Sequence, residues 1–357
     1  MFHQRTRGDQ YEKTIYDVAE AAGVSISTVS RVINNTGRIS RSTRQRVHAV
    51  MKELDYQPNV HASALTGKRT NIIGLLTPDI ANPFFGELAK SVEERAGELG
   101  FSIMMCSTDR DPKKETTYFS VLKQKSVDGI IFATGIENQE TMDALEDIAK
   151  EGIPLVMISQ DRALVPMDVV VIDDFMGGYL ATRHLISLGH KTIACIAGDG
   201  STTGEKDRLK GFKKAMDEAG IKADETLIAG SGFSLECGKK AAAQIFKSNI
   251  PTAVFAMNDV LACGVIQTAR EWGLHVPTDL SVIGFDNTFL AEMTDPPLTT
   301  VSQPIEEMGR RAAELLAEEI SGKKSSKSKI ILTPELVVRQ STAPPFKKEA
   351  HAEKSGF

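Results

Sequence analysis

The sequence predicts an N-terminal all-α head, a short hinge helix and a larger two-lobed α/β core. Residues 14 to 54 show helical periodicity with no strand pattern, whereas apolar runs typical of buried strands alternate with helical stretches from Asn71 onward. Charge divides the chain in the same place. The first 69 residues hold 11 Lys/Arg against 6 Asp/Glu, and the remainder holds 31 against 41. A positive head on an acidic body suits phosphate binding, although basic tails also occur on unrelated proteins.

The composition is that of a globular protein kept inside the cell. A chain of 357 residues with 41% hydrophobic side chains can bury a large core. Its first 13 residues are polar, which predicts no secretory signal and a cytoplasmic location. Because every apolar run is shorter than the roughly 18 to 20 residues that span a bilayer, no membrane partner is expected. The four cysteines are scattered singly, which predicts buried, reduced thiols and neither disulfides nor a metal site: Cys106, Cys195, Cys237 and Cys263.

The head is predicted to contain three short helices. Thr14 can cap the first helix, which Gly23 ends. Ser25 can cap a second helix, Ile26–Ile33. The valines of this helix face inward, and its polar side chains are left for solvent or a binding partner. The third helix has Ser40 or Ser42 as its cap and an inward stripe at Val47, Val50, Met51 and Leu54.

A hinge candidate follows the head. Pro58 breaks the chain, Asn59 offers a cap, and a helical stretch of seven residues, Val60–Thr66, ends at Gly67. An isolated helix needs about 12 to 15 residues to be stable in water, so this one should form only when packed against something. The predicted domains are a head at 13–58, a hinge helix and linker at 59–69, a core at 70–345 and a polar tail at 346–357.

The core is predicted to contain two similar lobes, each with a parallel sheet covered by helices on both faces. The first lobe takes about 70–170 plus 301–329, and the second about 171–300 plus 330–345. The predicted strands of the two series are Ile72–Leu76, Ser102–Met105, Gly129–Phe132, Leu155–Ile158, Val169–Ile172, Thr192–Ile196, Ala253–Ala256 and Leu280–Phe285.

The stretch from Thr14 to Asn34 closely resembles the helix-turn-helix of LacI/GalR-type repressors. It reads Thr-Ile-Tyr-Asp-Val-Ala-Glu-Ala-Ala-Gly-Val-Ser-Ile-Ser-Thr-Val-Ser-Arg-Val-Ile-Asn. Further matches extend over almost the whole chain, at Tyr56-Gln-Pro-Asn59, Asn82-Pro-Phe84, Gly189-His190, Asn258-Asp259, Gly284-Phe-Asp286 and Pro297-Leu-Thr-Thr300. A narrower similarity is to the DegA-type group within this family. The resemblance implies a sequence-specific DNA-binding transcriptional regulator, typically a repressor, with a periplasmic-binding-protein-like core.

The resemblance also implies which residues of the head contact DNA. Ile26, Ser27 and Arg31 would read bases, because the first turn of a helix in the major groove reaches base edges. Arg31 is the strongest candidate, since a guanidinium can bind guanine through two hydrogen bonds; the alternative is a surface arginine. Residues placed near phosphates are Thr14, Ser25, Thr28, Ser30, Asn34 and Arg38. For Thr14 and Ser25, helix capping is an equally good interpretation, and both roles can hold.

In the family the hinge helix carries further DNA contacts, which match Asn59, Ala62 and Leu65. Two hinge helices, one from each subunit of a homodimer, pack through small residues such as Ala62 in the minor groove. The residue at Leu65 is then a wedge that enters a base step and kinks the duplex. The alternative is a linker leucine that rests on the core. The expected partner is therefore a double-stranded, pseudo-palindromic operator bound by a homodimer.

The core resembles periplasmic sugar-binding proteins, which hold a ligand between two lobes at the carboxyl ends of the strands. By matching positions, Arg208 and Asp286 would supply charged hydrogen-bonding groups and Asn258 an amide. Apolar contacts would come from Phe84, Phe175 and Phe233, and weaker polar candidates are Asp79 and Asp161. Arg208 could instead be a surface residue, and Asp286 could cap a turn. The implied effector is a small, sugar-like molecule, and a corepressor protein is an open alternative.

Two other functions compete with that of a DNA-binding regulator. A solute-binding protein with an appended helical head would explain the bilobed core, but it disagrees with the polar N-terminus and with the head itself. An α/β enzyme would need a catalytic motif, and the sequence contains no nucleophile elbow, metal-ligand cluster or dinucleotide-binding glycine pattern. The glycine-bearing loop Gly198–Gly204 lacks the Gly-Lys-Ser/Thr ending of a phosphate-binding loop. No catalytic residue and no cofactor are therefore expected.

Overall fold

The computed structural model describes residues 13–33, 36–56, 69–136, 138–158, 165–230, 232–324 and 326–346. The chain divides into two compact units, a head that ends at Thr70 and a core that begins at Asn71. The predicted hinge helix lies outside the described residues, as does the tail beyond Phe346. So do five of the residues implied as sites: Asn34, Asn59, Ala62, Leu65 and Asp161.

The head is the predicted three-helix unit. Its helices are α1 (Ile15–Ala22), α2 (Ile26–Ile33) and α3 (Arg41–Glu53). At the start of α3, the Ser40 hydroxyl accepts a hydrogen bond from the Thr43 backbone N–H at 3.2 Å, so Ser40 rather than Ser42 is the cap. The small core of the head is made mainly of valines, which are at most 2% exposed: Val18, Val29, Val32 and Val47.

The core alternates strands and helices along its whole length. In its first half these are β1 (Ile72–Thr77), α4 (Pro83–Glu98), β2 (Ser102–Ser107), α5 (Pro112–Gln124), β3 (Gly129–Phe132), α6 (Gln139–Lys150), β4 (Leu155–Ile158), β5 (Asp168–Ile172) and α7 (Asp174–Ser187). In its second half they are β6 (Ile193–Ala197), α8 (Thr203–Glu218), a 3₁₀ turn (Glu225–Leu227), β7 (Ile228–Gly230), α9 (Leu235–Ser248), β8 (Ala253–Ala256), α10 (Asp259–Glu271), β9 (Ser281–Asp286), α11 (Leu290–Met293), β10 (Thr299–Ser302), α12 (Ile305–Ile320), β11 (Lys329–Leu332) and β12 (Glu335–Val337).

The strands form two six-stranded sheets, one in each lobe. The first lobe has the order β11-β5-β4-β3-β1-β2 and the second has β12-β10-β9-β8-β6-β7. Neighbouring strands run parallel except for β10 and β12, which are antiparallel. The predicted two-lobed α/β core is therefore confirmed.

Helices bury both faces of each sheet, which explains why the central strands are continuous apolar runs. In the first lobe, Leu88 and Met308 belong to the apolar cluster on one face, and Phe119 and Leu145 belong to the cluster on the other. Within the described residues, no helix is both long and apolar enough to cross a membrane. Among the thiols, Cys106 and Cys195 are buried as predicted, whereas Cys237 and Cys263 are only half-buried.

The chain crosses between the lobes three times: after β5, after β10 and after β11. All three predicted boundaries come two or three residues too early. Val171 and Ile172 belong to the first lobe because β5 pairs with β11 as far as Ile172. Ser302 belongs to the second lobe because β10 pairs with β9 as far as the register Ser302 opposite Asp286. Residues 330–332 belong to the first lobe because β11 pairs with β5 up to Leu332 opposite Ile172.

The C-terminal segment is fastened to the second lobe through His190, a residue of the Gly189-His190 match. Its Nδ1 lies 2.9 Å from the Thr252 hydroxyl, and its Nε2 lies 2.9 Å from the backbone carbonyl of Ala343. Burial lowers the pKa of His190, which favours the neutral ring with Nε2–H as the donor to Ala343. We therefore assign this histidine a structural role.

Candidate functional site

Helix α2 presents one apolar and one exposed face. Val29 and Val32 are buried against the other helices of the head. The side chains of Ser27 and Arg31 are exposed, and Ile26 at the start of the helix is 39% exposed. An eight-residue helix held on a rigid support with such a face has the size and chemistry needed to enter the major groove.

A cluster of hydroxyl groups surrounds the N-terminus of α2. The Ser25 Oγ accepts a hydrogen bond from the Thr28 backbone N–H at 3.2 Å and lies 2.8 Å from Ser27 Oγ and 2.9 Å from Thr28 Oγ1. The capping interpretation of Ser25 is thus confirmed. Thr14 also forms a hydrogen bond within the head, since its backbone N–H donates to Asp17 Oδ2 at 2.7 Å. Phosphate contacts by these residues stay predictions; the partial positive charge at a helix N-terminus would favour them.

The side chain of Arg31 extends from α2 along the turn at Gly37. Gly37 has a φ of +73°, and a Cβ built on it would lie 3.3 Å from Cδ of Arg31. The aliphatic part of the arginine side chain therefore packs along the glycine, while the exposed residue Arg38 follows directly. Ser30, the remaining polar residue expected near phosphates on this helix, is half-buried.

The core contains a cavity of about 370 Å³ between its lobes, lined by residues that follow the carboxyl ends of strands in both sheets. Six of the predicted effector-binding residues line it: Asp79, Phe84, Arg208, Phe233, Asn258 and Asp286. The first two come from the first lobe and the other four from the second. This is where parallel sheets usually place ligands, because loops converge at that edge.

The prediction for Phe175 is not supported by the cavity. Its side chain is 38% exposed, whereas the preceding residue, Asp174, lines the cavity instead. The loop Gly198–Gly204, interpreted from the sequence as a cleft loop, contributes Asp199 and Thr202 to the lining. The sequence interpretation missed a larger set of lining residues that includes Asn82, Asp109, Arg110, Thr134, Asp174, Glu205, Ser234, Cys237 and Gln303. All of these lie in the loop or the first helical turn after a strand, and that position is the signal that could have found them.

Arg208 is held in the cavity wall by three contacts. Its Nε lies 2.7 Å from Asp174 Oδ1, and its Nη1 donates to the Met257 carbonyl at 2.6 Å. Its guanidinium carbon stands 3.6 Å above the centre of the Phe285 ring, within the range of a cation–π contact. Arg208 is therefore a buried, oriented side chain, and the surface-arginine alternative is wrong.

Two glycines allow this arrangement by letting α7 and α8 touch. A Cβ at Gly178 of α7 would lie 2.1 Å from the Arg208 carbonyl oxygen, and one at Gly211 of α8 would lie 2.1 Å from the Phe175 carbonyl oxygen. Any larger residue at either position would push the helices apart. This close approach brings Asp174, on α7, within hydrogen-bonding distance of Arg208, on α8.

Three buried carboxyl groups lie in or behind this part of the cavity wall, at Asp174, Asp286 and Asp259. Burial raises the pKa of Asp174 and raises that of Asp286 well above its ordinary value, and Arg208 offsets part of both effects. Oδ1 of Asp286 accepts a hydrogen bond from Gln303 Nε2 at 2.7 Å. Behind Asp286, burial raises the pKa of Asp259 to about 6. Burial thus disfavours the charged forms of these three carboxyls, and the ion pair with Arg208 compensates the charge of Asp174.

Asn258 combines a structural and a cavity position. Its Oδ1 accepts a hydrogen bond from the Leu261 backbone N–H at 2.7 Å and so caps α10. The neighbouring Asp259 accepts from the Thr300 hydroxyl at 2.6 Å and from the Thr288 backbone N–H at 2.8 Å. The matched Asn258-Asp259 pair therefore ties α10 to the loops around β9 and β10.

Asp259 should make the stability of the core depend on pH. Its pKa is about 6 in the folded protein against an ordinary 3.8, so the native state holds more protons than the unfolded state between these values. The contribution of Asp259 to the free energy of unfolding therefore decreases as pH rises from about 4 to about 6. We expect Asp259→Asn to remove this decrease. Urea unfolding from pH 4.5 to 7.5 measures it, with the exposed Asp217→Asn as control; parallel profiles for Asp259→Asn and the unmodified protein would contradict the assignment.

Comparison with known proteins identifies the family. Residues 14–59 match the model of bacterial regulatory proteins of the lacI family, and residues 182–342 match a periplasmic binding protein-like domain. The HTH-type transcriptional regulator DegA of Bacillus subtilis (strain 168) is 67% identical over 331 residues, which cover 93% of this chain and 98% of DegA.

Two solved structures extend the comparison. The Lac repressor dimer bound to operator and the anti-inducer ONPF superposes with a TM-score of 0.82 at 30% identity, covering 93% of this chain and 99% of that one. A complex of the transcriptional regulator CelR with cellobiose gives a TM-score of 0.71 at 32% identity, covering 92% and 99%. Together with the head and the bilobed core, these matches define a DNA-binding transcriptional regulator. The chain belongs to the LacI family of bacterial regulatory proteins.

Proposed function

We propose that this protein represses transcription as a homodimer on a pseudo-palindromic operator, and that a small polyhydroxyl ligand in the cleft controls its operator affinity. The observation that carries the proposal is the cavity of about 370 Å³ lined by oriented polar groups of both lobes. Its volume suits a small molecule, and we therefore favour a ligand over a corepressor protein. Because operator binding requires the compartment that holds the chromosome, we also propose a cytoplasmic location.

The charges around the cavity support an uncharged, hydroxyl-bearing ligand such as a sugar. Among the described residues, its lining contains the two guanidinium groups of Arg110 and Arg208 and six carboxyl side chains, at Asp79, Asp109, Asp174, Asp199, Glu205 and Asp286. A phosphorylated or carboxylated ligand would meet an excess of negative charge. Hydroxyl groups can donate to the carboxyls and accept from the guanidiniums, which is the hydrogen-bonding pattern of a polyol. The CelR complex with cellobiose is a family precedent.

Exposed apolar side chains support the homodimer. Phe289 and Met293, at the start and end of α11, are 54% and 74% exposed, and Ile80 in the first lobe is 55% exposed. The Phe289 backbone N–H donates to Glu87 Oε1 of α4 at 3.0 Å, so α11 lies next to the first lobe. Apolar side chains of this size on a surface often mark a protein interface. The Lac repressor dimer bound to operator shows this assembly in a relative.

The test is operator binding under controlled salt and ligand conditions. Genomic binding sites of the purified protein identify the operator, and fluorescence anisotropy then gives its dissociation constant. We expect a pseudo-palindromic site, a log–log salt dependence with a slope near −0.9 for each neutralised phosphate, and a changed affinity with at least one sugar of a panel that includes cellobiose and ribose. Sedimentation gives the oligomeric state. Sequence-indifferent binding by a monomer would contradict the proposal.

A further inference from the structure

Within the part of the chain that the structure describes, Arg110 is the residue whose side chain stacks across the two lobes. It belongs to the first lobe, in the loop between β2 and α5, and its guanidinium carbon stands 4.1 Å from the centre of the Phe233 ring of the second lobe. Its Nη1 also lies 3.4 Å from the hydroxyl of Ser201, again in the second lobe. Both Arg110 and Phe233 line the cavity.

The backbone presents Arg110 in an unusual conformation. Asp109 and Arg110 have φ values of +55° and +57°, a left-handed pair of residues that are not glycine. The turn is anchored to the sheet, because the Asp109 backbone N–H donates to the Pro78 carbonyl at 2.7 Å and the Thr108 N–H to the Thr77 carbonyl at 2.9 Å. Such conformations cost free energy and persist where the surroundings hold them, often at functional sites.

The partner ring is equally well placed. A Cβ at Gly198 would lie 2.4 Å from Cζ of Phe233, so the glycine leaves a slot that the ring fills. Ser201, the second partner of Arg110, donates its hydroxyl to Asp199 Oδ1 at 2.5 Å. Arg110 therefore meets a prearranged surface on the second lobe that consists of an aromatic face and a hydroxyl tied to a carboxylate.

We propose that Arg110 and Phe233 form a latch across the cleft, which holds the lobes closed and makes Arg110 a positioning residue for ligand retention. The proposal rests on the proposed function, since it concerns the same cavity. A cation–π contact is attractive because the ring face carries partial negative charge. A ligand must enter before the latch forms and can leave only after it breaks, so the latch sets how long the cleft stays closed.

Cys237 offers a readout that needs neither ligand nor DNA. This half-buried cysteine lines the cavity, and its alkylation by iodoacetamide should require an open cleft. Cys263, also half-buried but not part of the cavity lining, is the internal reference. Mass spectrometry of the full-length protein gives the alkylation rate at each cysteine separately.

We expect Arg110→Ala to raise the alkylation rate of Cys237 about three- to ten-fold while the rate at Cys263 stays unchanged. This range corresponds to a cation–π contact of about 0.7–1.4 kcal/mol at ten-fold per 1.4 kcal/mol. Phe233→Leu should act similarly, and the double variant should exceed neither single variant by more than about two-fold, since both remove one contact. The matched control is Arg183→Ala, because Arg183 stands 6.0 Å above the Tyr179 ring within a single lobe.

An unchanged rate at Cys237 in Arg110→Ala, or multiplicative effects of the two substitutions, would overturn the latch. If Arg110→Ala raises the alkylation rates of all four cysteines, the core has unfolded. The rates at Cys237 and Cys263 in Arg110→Gln then test the latch in its place. Operator release by sugars is measured separately on the unmodified protein. Its failure with an intact latch would contradict the proposed function alone, and an absent latch with normal release would contradict this inference alone.

Discussion

Replacing Arg208 with methionine is expected to lower the free energy of unfolding of the core by about 3–5 kcal/mol, the usual cost of removing one partner from a buried ion pair. The substitution leaves Asp174 without the guanidinium that lies 2.7 Å away, and it removes the hydrogen bond to the Met257 carbonyl. Methionine retains much of the apolar volume over Phe285, so the loss of charge dominates. Urea unfolding measures the change.

The same variant should lose the ligand response, since Arg208 is one of the two guanidinium donors that the described part of the cavity lining supplies. Adding Asp174→Asn separates the structural role from the binding role. The double variant no longer buries an uncompensated carboxylate, so it should recover part of the stability but none of the change in operator affinity caused by a sugar. Recovery of the ligand response in the double variant would show that Arg208 only neutralises Asp174.

Replacing Arg31 with alanine is expected to weaken operator binding about ten- to hundred-fold and to relax discrimination at one base pair. Two hydrogen bonds from a guanidinium to guanine contribute about 1–3 kcal/mol of discrimination. The packing of Arg31 along Gly37 favours a defined side-chain direction, so the arginine loses little conformational entropy when it binds DNA. Competition anisotropy with operators changed one base pair at a time measures the effect.

Two control variants make the Arg31 result specific. Arg31→Lys keeps the charge but lacks the planar fork, so it should retain binding to random DNA and lose the discrimination. Arg38→Ala should weaken all sequences alike and reduce the salt slope by about one, as expected for a phosphate contact. Equal losses on operator and random DNA in Arg31→Ala would show that Arg31 contacts only the backbone.

Much of the fold can be predicted from short stretches of sequence, because most helices and buried strands show their apolar pattern within a single stretch. The bounds of α2, β3, β4 and β8 agree with the predicted ones, since an amphipathic helix and fully buried apolar strands carry their own patterns. Four strands were missed, and three of them lie at the edges of the sheets: β7, β11 and β12. The fourth, β10, is an interior strand of four residues. β7 has three partly exposed residues, and β11 has the alternation of an edge strand. Their existence depends on pairing with distant partners.

The site shows a similar division. Arg208, Asp286 and Asn258 were predicted from motif matches, and all three line the cavity. Phe175 does not line the cavity, because α7 turns the preceding Asp174 inward and leaves Phe175 partly exposed, so its contact with an effector stays a prediction. Arg110 had no signal of its own in the sequence. Its importance comes from a left-handed turn and from a ring on the other lobe, which lies more than a hundred residues further along the chain.

The three crossings between lobes have a consequence for protein engineering. Neither lobe is one continuous segment, since the first lobe needs β11 and α12 from late in the chain and the second needs everything between β6 and β10 as well as β12. A chimera that joins the operator preference of one relative to the ligand preference of another therefore has a natural fusion point between Thr70 and Asn71. A fusion point inside the core would divide at least one of the two sheets between the relatives, so the core has to be exchanged as a whole.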